Sequence, residues 1–68
     1  MKNKLYIKIK ELRLDKGMKQ TDIAKVLGIA PTTYAGYEQG KSEPNLDTVI
    51  FLAQYFKVTT DYLLGLED

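Results

Sequence analysis

The 68-residue chain has no cysteine, no histidine and no tryptophan, and Ser42 is its one serine. Without cysteine there is neither a disulfide nor a thiolate metal site, a composition that suits a reducing interior. Without histidine, no imidazole base and no Ser-His-Asp triad can be assembled. The acidic residues are scattered and lack the imidazole partners of a zinc site, and no glycine-rich phosphate loop is present. Neither catalysis nor a metal or cofactor is expected. No apolar run approaches the ~18 residues of a membrane span. The opening stretch MKNKLYIKIKELRL has lysines but no apolar core or small-residue cleavage site of a signal peptide. The expectation is a cytoplasmic protein with no membrane partner.

A net charge of +1 gives no global basic signature, but its distribution is uneven. Residues 1–41 carry nine Lys/Arg against four acids, a balance of +5; residues 42–68 carry one against five, a balance of −4. A basic front and an acidic rear suit a polyanion bound on one side, or are ordinary solvated surface charge. The length bounds the chain to one domain, 1–68. At this size stability has to come from efficient helix packing or a partner chain.

Gly17, Gly28, Gly40 and Gly65 sit where helix C-termini are expected, and Pro31 and Pro44 sit where helices start or are forbidden. Between them apolar residues recur at three and four. Leu5, Ile9 and Leu12 make one stripe; Ile23, Ala24 and Leu27 a second; Ala30, Tyr34 and Tyr37 a third. Leu46, Val49, Ile50, Ala53 and Phe56 make the longest, behind Asn45 as N-cap. A last turn opens at Thr59 with Asp61 in its first turn, and carries Tyr62, Leu63 and Leu66. The alternation over Leu5–Lys10 is compatible with a strand, but helical spacing continues beyond it, so one helix from about Leu5 to Lys16 is preferred. Without repeats, low complexity or linkers, the expectation is an all-α, compact five-helix bundle.

Residues 20–39, QTDIAKVLGIAPTTYAGYEQ, place two short helices almost end to end. Each is too short to be stable alone, since isolated helices below ~12–15 residues are marginal in water. Their spacing fits a helix–turn–helix. Ala24 is small where the second helix must approach, Gly28 accepts a left-handed backbone, Ile29 fills the turn and Pro31 starts the next helix. Ile23, Leu27, Tyr34 and Tyr37 then face inward, and Gln20, Thr32, Thr33 and Gly36 face outward.

These residues, with Leu12-Arg13, Tyr37-Glu38-Gln39-Gly40-Lys41, Pro44 and the tail Leu52-Ala53…Phe56…Val58…Asp61-Tyr62-Leu63-Leu64-Gly65, resemble the Cro/C1-type (Xre-like) helix–turn–helix family. That family comprises the DNA-binding domains of phage lambda repressor, Cro and their bacterial relatives. The resemblance covers about residues 5–66 and its ending is similar to repressors of Gram-positive bacteria and their phages. It implies that Gln20 contacts a phosphate, and that Thr32, Thr33 and Gly36 lie where relatives read bases or the adjacent backbone. It implies that Lys41 lies where the following loop grips phosphate, and Lys19, Thr21, Pro31 and Tyr37 complete the DNA-facing set. Arg13 and Glu38 match a buried ion pair joining the first helix to the third.

The chain departs from the family pattern at three places. Lys19 and Ala30 occupy N-cap positions where the family favours Ser or Thr, which leaves both helix starts to other groups, phosphate oxygens among them. Pro31 stands where relatives often carry Gln or Arg and offers an apolar contact, such as one to a thymine methyl. Gly36 replaces a long polar side chain at a cost of ~1 kcal/mol relative to Ala. The implied readout is modest, with reliance on DNA shape.

Each reading has a plainer competitor. Thr32, Thr33 and Lys41 suit solvated surface as well as DNA contact, and Gly36 suits close helix packing. Tyr34 and Tyr37 read as core before stacking platforms. Lys2, Lys4, Lys8 and Lys10 read as solvated charge, with one reaching the DNA backbone as the alternative. Tyr62, Leu63 and Leu66 either close the core or form a dimer seam. The expectation is a sequence-specific double-stranded DNA-binding regulator, a repressor. It would act as a homodimer on a two-fold symmetric operator, with no small-molecule effector domain. The alternative is a protein-interaction module, antitoxin-like or an anti-repressor partner, with weak DNA affinity.

Overall fold

The computed structural model describes residues 3–67, so Lys2, weighed above for a backbone contact, lies outside the described residues. Among them the chain is all-helical: α1 (Leu5–Asp15), α2 (Gln20–Leu27), α3 (Pro31–Glu38), α4 (Leu46–Phe56) and α5 (Thr60–Leu63). None of these helices is long and apolar enough to cross a membrane. The expected five-helix architecture is found.

All five helices end with the same closure. At each C-terminus one N–H reaches back five residues and its predecessor reaches back three: Met18 to Arg13 and Gly17 to Leu14, Ile29 to Ala24 and Gly28 to Lys25, Lys41 to Gly36 and Gly40 to Tyr37, Val58 to Ala53 and Lys57 to Gln54, Leu66 to Asp61 and Gly65 to Tyr62. This is the Schellman pattern, which needs one residue in the left-handed region. Four helices use the expected glycines, and α4 uses Lys57 at φ 59. The residue after the left-handed position commonly packs back on its helix. Met18, Ile29 and Val58 do so against the core, whereas Lys41 is exposed.

Helix starts are less uniform. Asn45 accepts from the Thr48 N–H at 2.8 Å, and Thr59 accepts from the Tyr62 N–H at 3.0 Å. At α1 the Asn3 side-chain Oδ1 accepts from the Leu5 N–H at 3.0 Å. At α2 the Asp22 carboxylate takes the Lys19 N–H at 2.9 Å, half of a capping box, because a lysine ammonium has no acceptor for the other half. No side chain caps α3.

Leu5, Ile9, Ile23, Ala24, Tyr34, Val49, Leu52, Ala53, Phe56 and Leu63 form the buried core. The stripe of α4 therefore runs through Val49, Leu52, Ala53 and Phe56, and the expected inclusion of Leu46 and Ile50 is corrected. Leu46 is 73% exposed and Ile50 also faces outward. This segment is apolar on most of its circumference, and two stripes one position apart both satisfy the three-four spacing. Leu66 lies beyond α5 and is 72% exposed rather than continuing its apolar face. The ends of the fold meet where the Lys4 N–H donates to the Leu64 carbonyl at 3.3 Å, and a Cβ on Gly65 would lie 2.9 Å from the Lys4 Cβ.

Candidate nucleic-acid interface

Helix α3 rests on both α1 and α2. Tyr34 is its inward anchor, fully buried, with Tyr37 half-buried and edge-on to it at 6.3 Å between ring centres. Tyr34 thus takes its core reading, while Tyr37 packs against the core and stays partly exposed. Pro31, Thr32 and Thr33, the first turn of α3, are exposed, at the end of the helix that no side chain caps. The N–H groups of a first helical turn have no partner within the helix, and here that turn carries two exposed threonines. Lys19 and Thr21, flanking the start of α2, are exposed as well.

The far end of α3 is held by charge. Arg13 Nε donates to Glu38 Oε2 at 2.6 Å and its Nη2 donates to Oε1 at 3.1 Å. The two side chains are 8% and 3% exposed. Arg13 Nη1 also donates to the Met18 carbonyl at 2.7 Å, which pins the turn between α1 and α2. Burial pushes the Glu38 carboxyl up. Hydrogen bonds from Arg13 and Gln20, the neighbouring Tyr34 hydroxyl and the Arg13 charge outweigh that, so its pKa falls below the ordinary carboxylate value. The Glu38 hydrogen bond, against the opposing effect of burial, raises the Arg13 pKa. The Tyr34 hydroxyl is buried beside this pair without a well-formed hydrogen bond. Burial and then the adjacent Glu38 carboxylate drive its pKa far up.

Two residues expected to face outward do not. Gln20 is half-buried, and its Nε2 donates to Glu38 Oε1 at 3.0 Å. A carboxylate with room for a further donor draws the amide in, because its oxygens have several acceptor sites. Gly36 is also half-buried; a Cβ there would lie 3.1 Å from the Ser42 Oγ. Its carbonyl accepts from the Lys41 N–H at 3.0 Å, so the missing side chain lets the following loop fold onto α3 with Lys41 exposed. Gly36 takes its packing reading.

The residues weighed as a dimer seam separate from one another. Leu63 is 0% exposed within the core, so it offers no surface and that expectation is corrected. Tyr62 is half-buried with the Lys8 ammonium 4.8 Å above its ring, and Leu66 is exposed. Sequence reasoning missed the Met18 carbonyl, the Ser42 contact and an apolar surface of Val26 and Phe51. These last two help to line a shallow groove with Leu27, Asn45, Asp47 and Thr48. A chain-distant partner leaves no local pattern; the exposed apolar face of α4 does, as a segment too apolar for one buried stripe.

The helix-turn-helix family model matches residues 9–63. The HTH-type transcriptional regulator AnsR of Bacillus subtilis is 45% identical over 60 residues, which are 88% of this chain and 52% of AnsR. The chain spans about half the length of such curated relatives. Among solved structures, a transcriptional regulator from Listeria innocua superposes with a TM-score of 0.91 at 28% identity, covering 100% of this chain and 64% of that one. The P22 c2 repressor, solved in complex with synthetic operator 9T in the presence of Tl+, gives a TM-score of 0.82 at 22% identity. It covers 93% of this chain and 96% of that one, a likeness of fold.

Proposed function

This chain belongs to the Cro/C1-type helix–turn–helix family, and on that premise we propose that it is a sequence-specific double-stranded DNA-binding repressor of transcription, acting in the cytoplasm. The observation that carries the reading is the exposed, uncapped N-terminus of α3, where Pro31, Thr32 and Thr33 stand clear of a helix anchored by Tyr34 and Glu38. A helix presented this way enters the major groove by its leading end. Thr32 and Thr33 then face base edges or the adjacent backbone, and Pro31 an apolar base feature. Lys19, Gln20, Thr21 and Lys41 grip phosphates on either side.

Such a short reading surface supplies few base contacts, which supports pairing of two chains on a two-fold symmetric operator. Half-site centres ~34 Å apart are compatible with protomers whose longest dimension is 28 Å. With both half-sites filled, the pair blocks the promoter by occlusion.

Selection of bound fragments from random duplex DNA tests this. The expected result is an enriched, two-fold symmetric site whose affinity falls steeply with salt. Lys41→Ala should lower the slope of log K against log salt by about 1, uniformly over sequences. A chain that enriches no sequence and binds duplex weakly at low salt would instead be a protein-interaction module.

A further inference from the structure

The Glu38 carboxylate gathers three parts of the chain. It holds Arg13 of α1 through both oxygens, the Met18 turn through Arg13, and Gln20 at the start of α2 through Oε1. Arg13 and Glu38 are buried while Gln20 is half-buried, so Gln20 is the member of this network nearest to solvent. A primary amide is planar, with two N–H donors on one side and one carbonyl acceptor on the other. An ionised carboxylate only accepts, which settles the flip: the NH2 must face Glu38, and the carbonyl is turned away. Fixing one N–H on Oε1 then fixes the direction of the second.

We infer that Glu38 is a positioning residue for DNA binding, acting through Gln20: its carboxylate orients the Gln20 amide so that the remaining N–H is presented to a phosphate oxygen. This rests on the DNA-binding reading above and gives the ion pair a second task beyond joining α1 to α3. A glutamine side chain has among the largest rotamer freedom to lose. Ordering it in the folded protein leaves less to lose when the nucleic acid arrives. The arrangement also accounts for a phosphate-contacting side chain that is half-buried rather than extended into solvent.

The test compares Gln20→Met in two backgrounds, the native chain and the paired replacement Arg13→Met/Glu38→Leu, which removes both charges together. Binding is measured on the duplex that the native chain selects, at a temperature where circular dichroism shows each variant folded. Gln20→Met should weaken binding about 10-fold in the native background, the scale of one charge-assisted hydrogen bond. In the paired background it should weaken binding less than about 2-fold, because there the amide is already unoriented. Equal losses in the two backgrounds overturn the inference. Nitrogen-15 relaxation of the Gln20 side-chain amide in the free native protein gives a readout that needs neither DNA nor the paired variant. The amide should be ordered, and an order parameter below about 0.6 overturns the inference as well. If the native chain selects no duplex, the DNA reading itself falls and the phosphate role with it, whereas selection with equal losses removes the positioning role alone.

Discussion

The α2–α3 pair and the α4–α5 pair are built by different means. Both α4 and α5 start on side chains that cap them, Asn45 and Thr59, and are buried through apolar contacts of Val49, Leu52, Ala53, Phe56 and Leu63. In α2 and α3 the N-cap positions hold Lys19 and Ala30, whose side chains cap nothing, and the far end of α3 is tied down by a buried carboxylate. The rear pair is complete in itself. The front pair keeps donors open at its leading ends and takes its rigidity from Arg13, Gln20 and Glu38 behind them. A surface meant to meet an anion cannot also satisfy its own N–H groups, so the tie has to sit at the opposite end of the helix.

Removing one anchor from each half should have the largest effects. Glu38→Ala leaves the Arg13 guanidinium buried without its counter-charge and should cost roughly 3–5 kcal/mol. Leu52→Ala opens a cavity in the rear half and should cost about 2–5 kcal/mol. Both are read from urea or thermal unfolding followed by circular dichroism. Acid separates them. The folded pKa of Glu38 lies below its unfolded one, so its contribution is complete above the ordinary carboxylate range and is lost as pH falls through the depressed value. The stability gap between the native chain and Arg13→Met/Glu38→Leu should therefore move in favour of the variant on acidification, while the Leu52→Ala gap stays constant. A gap independent of pH for both would mean that the front half is not held by charge.

A smaller pair of substitutions sharpens the contrast at the helix starts. Asn45→Ala removes the α4 cap and should cost ~1 kcal/mol without changing DNA affinity beyond its effect on folding. Ala30→Asp supplies α3 with the cap it lacks and should stabilise the chain by ~1 kcal/mol. The same carboxylate occupies the N–H groups and repels phosphate, so binding to the selected duplex should weaken. Ala30→Asp that stabilises and leaves affinity intact would place the DNA elsewhere than at the α3 N-terminus.

What could be read in the sequence was what local chemistry decides. Gly28 and Gly40 mark helix ends because the left-handed region penalises other residues, and Asn45 and Thr59 mark starts because their short polar side chains reach a backbone N–H. The exposure of Thr32 and Thr33 follows from the spacing of Tyr34 and Tyr37. The buried face of α4 did not follow, because Leu46, Ile50 and Phe51 make nearly its whole circumference apolar. The turn of Gln20 inward to Glu38 depends on a contact eighteen residues away that no spacing rule reports. Gly36 pointed two ways until the Ser42 loop settled which neighbour it admits.

Lys57 carries the smallest of these effects. It ends α4 in the left-handed conformation that glycine provides for the other four helices, at φ 59 against 70–76. For a residue with a Cβ that conformation costs roughly 1–2 kcal/mol. Replacing it with glycine removes the penalty but loosens the unfolded chain by about 0.4–1 kcal/mol. The Val58 N–H still donates to the Ala53 carbonyl at 2.9 Å in this closure, so the hydrogen bonding that the turn serves is indifferent to the substitution. Lys57→Gly should therefore raise stability by roughly 0–1.6 kcal/mol, the difference between those two terms. It should leave the salt slope of DNA binding unchanged, because Lys57 belongs to the acidic rear of the chain and to no phosphate contact proposed above. A fall in that slope would extend the nucleic-acid footprint to the C-terminus of α4 and erase the division of labour between the two halves.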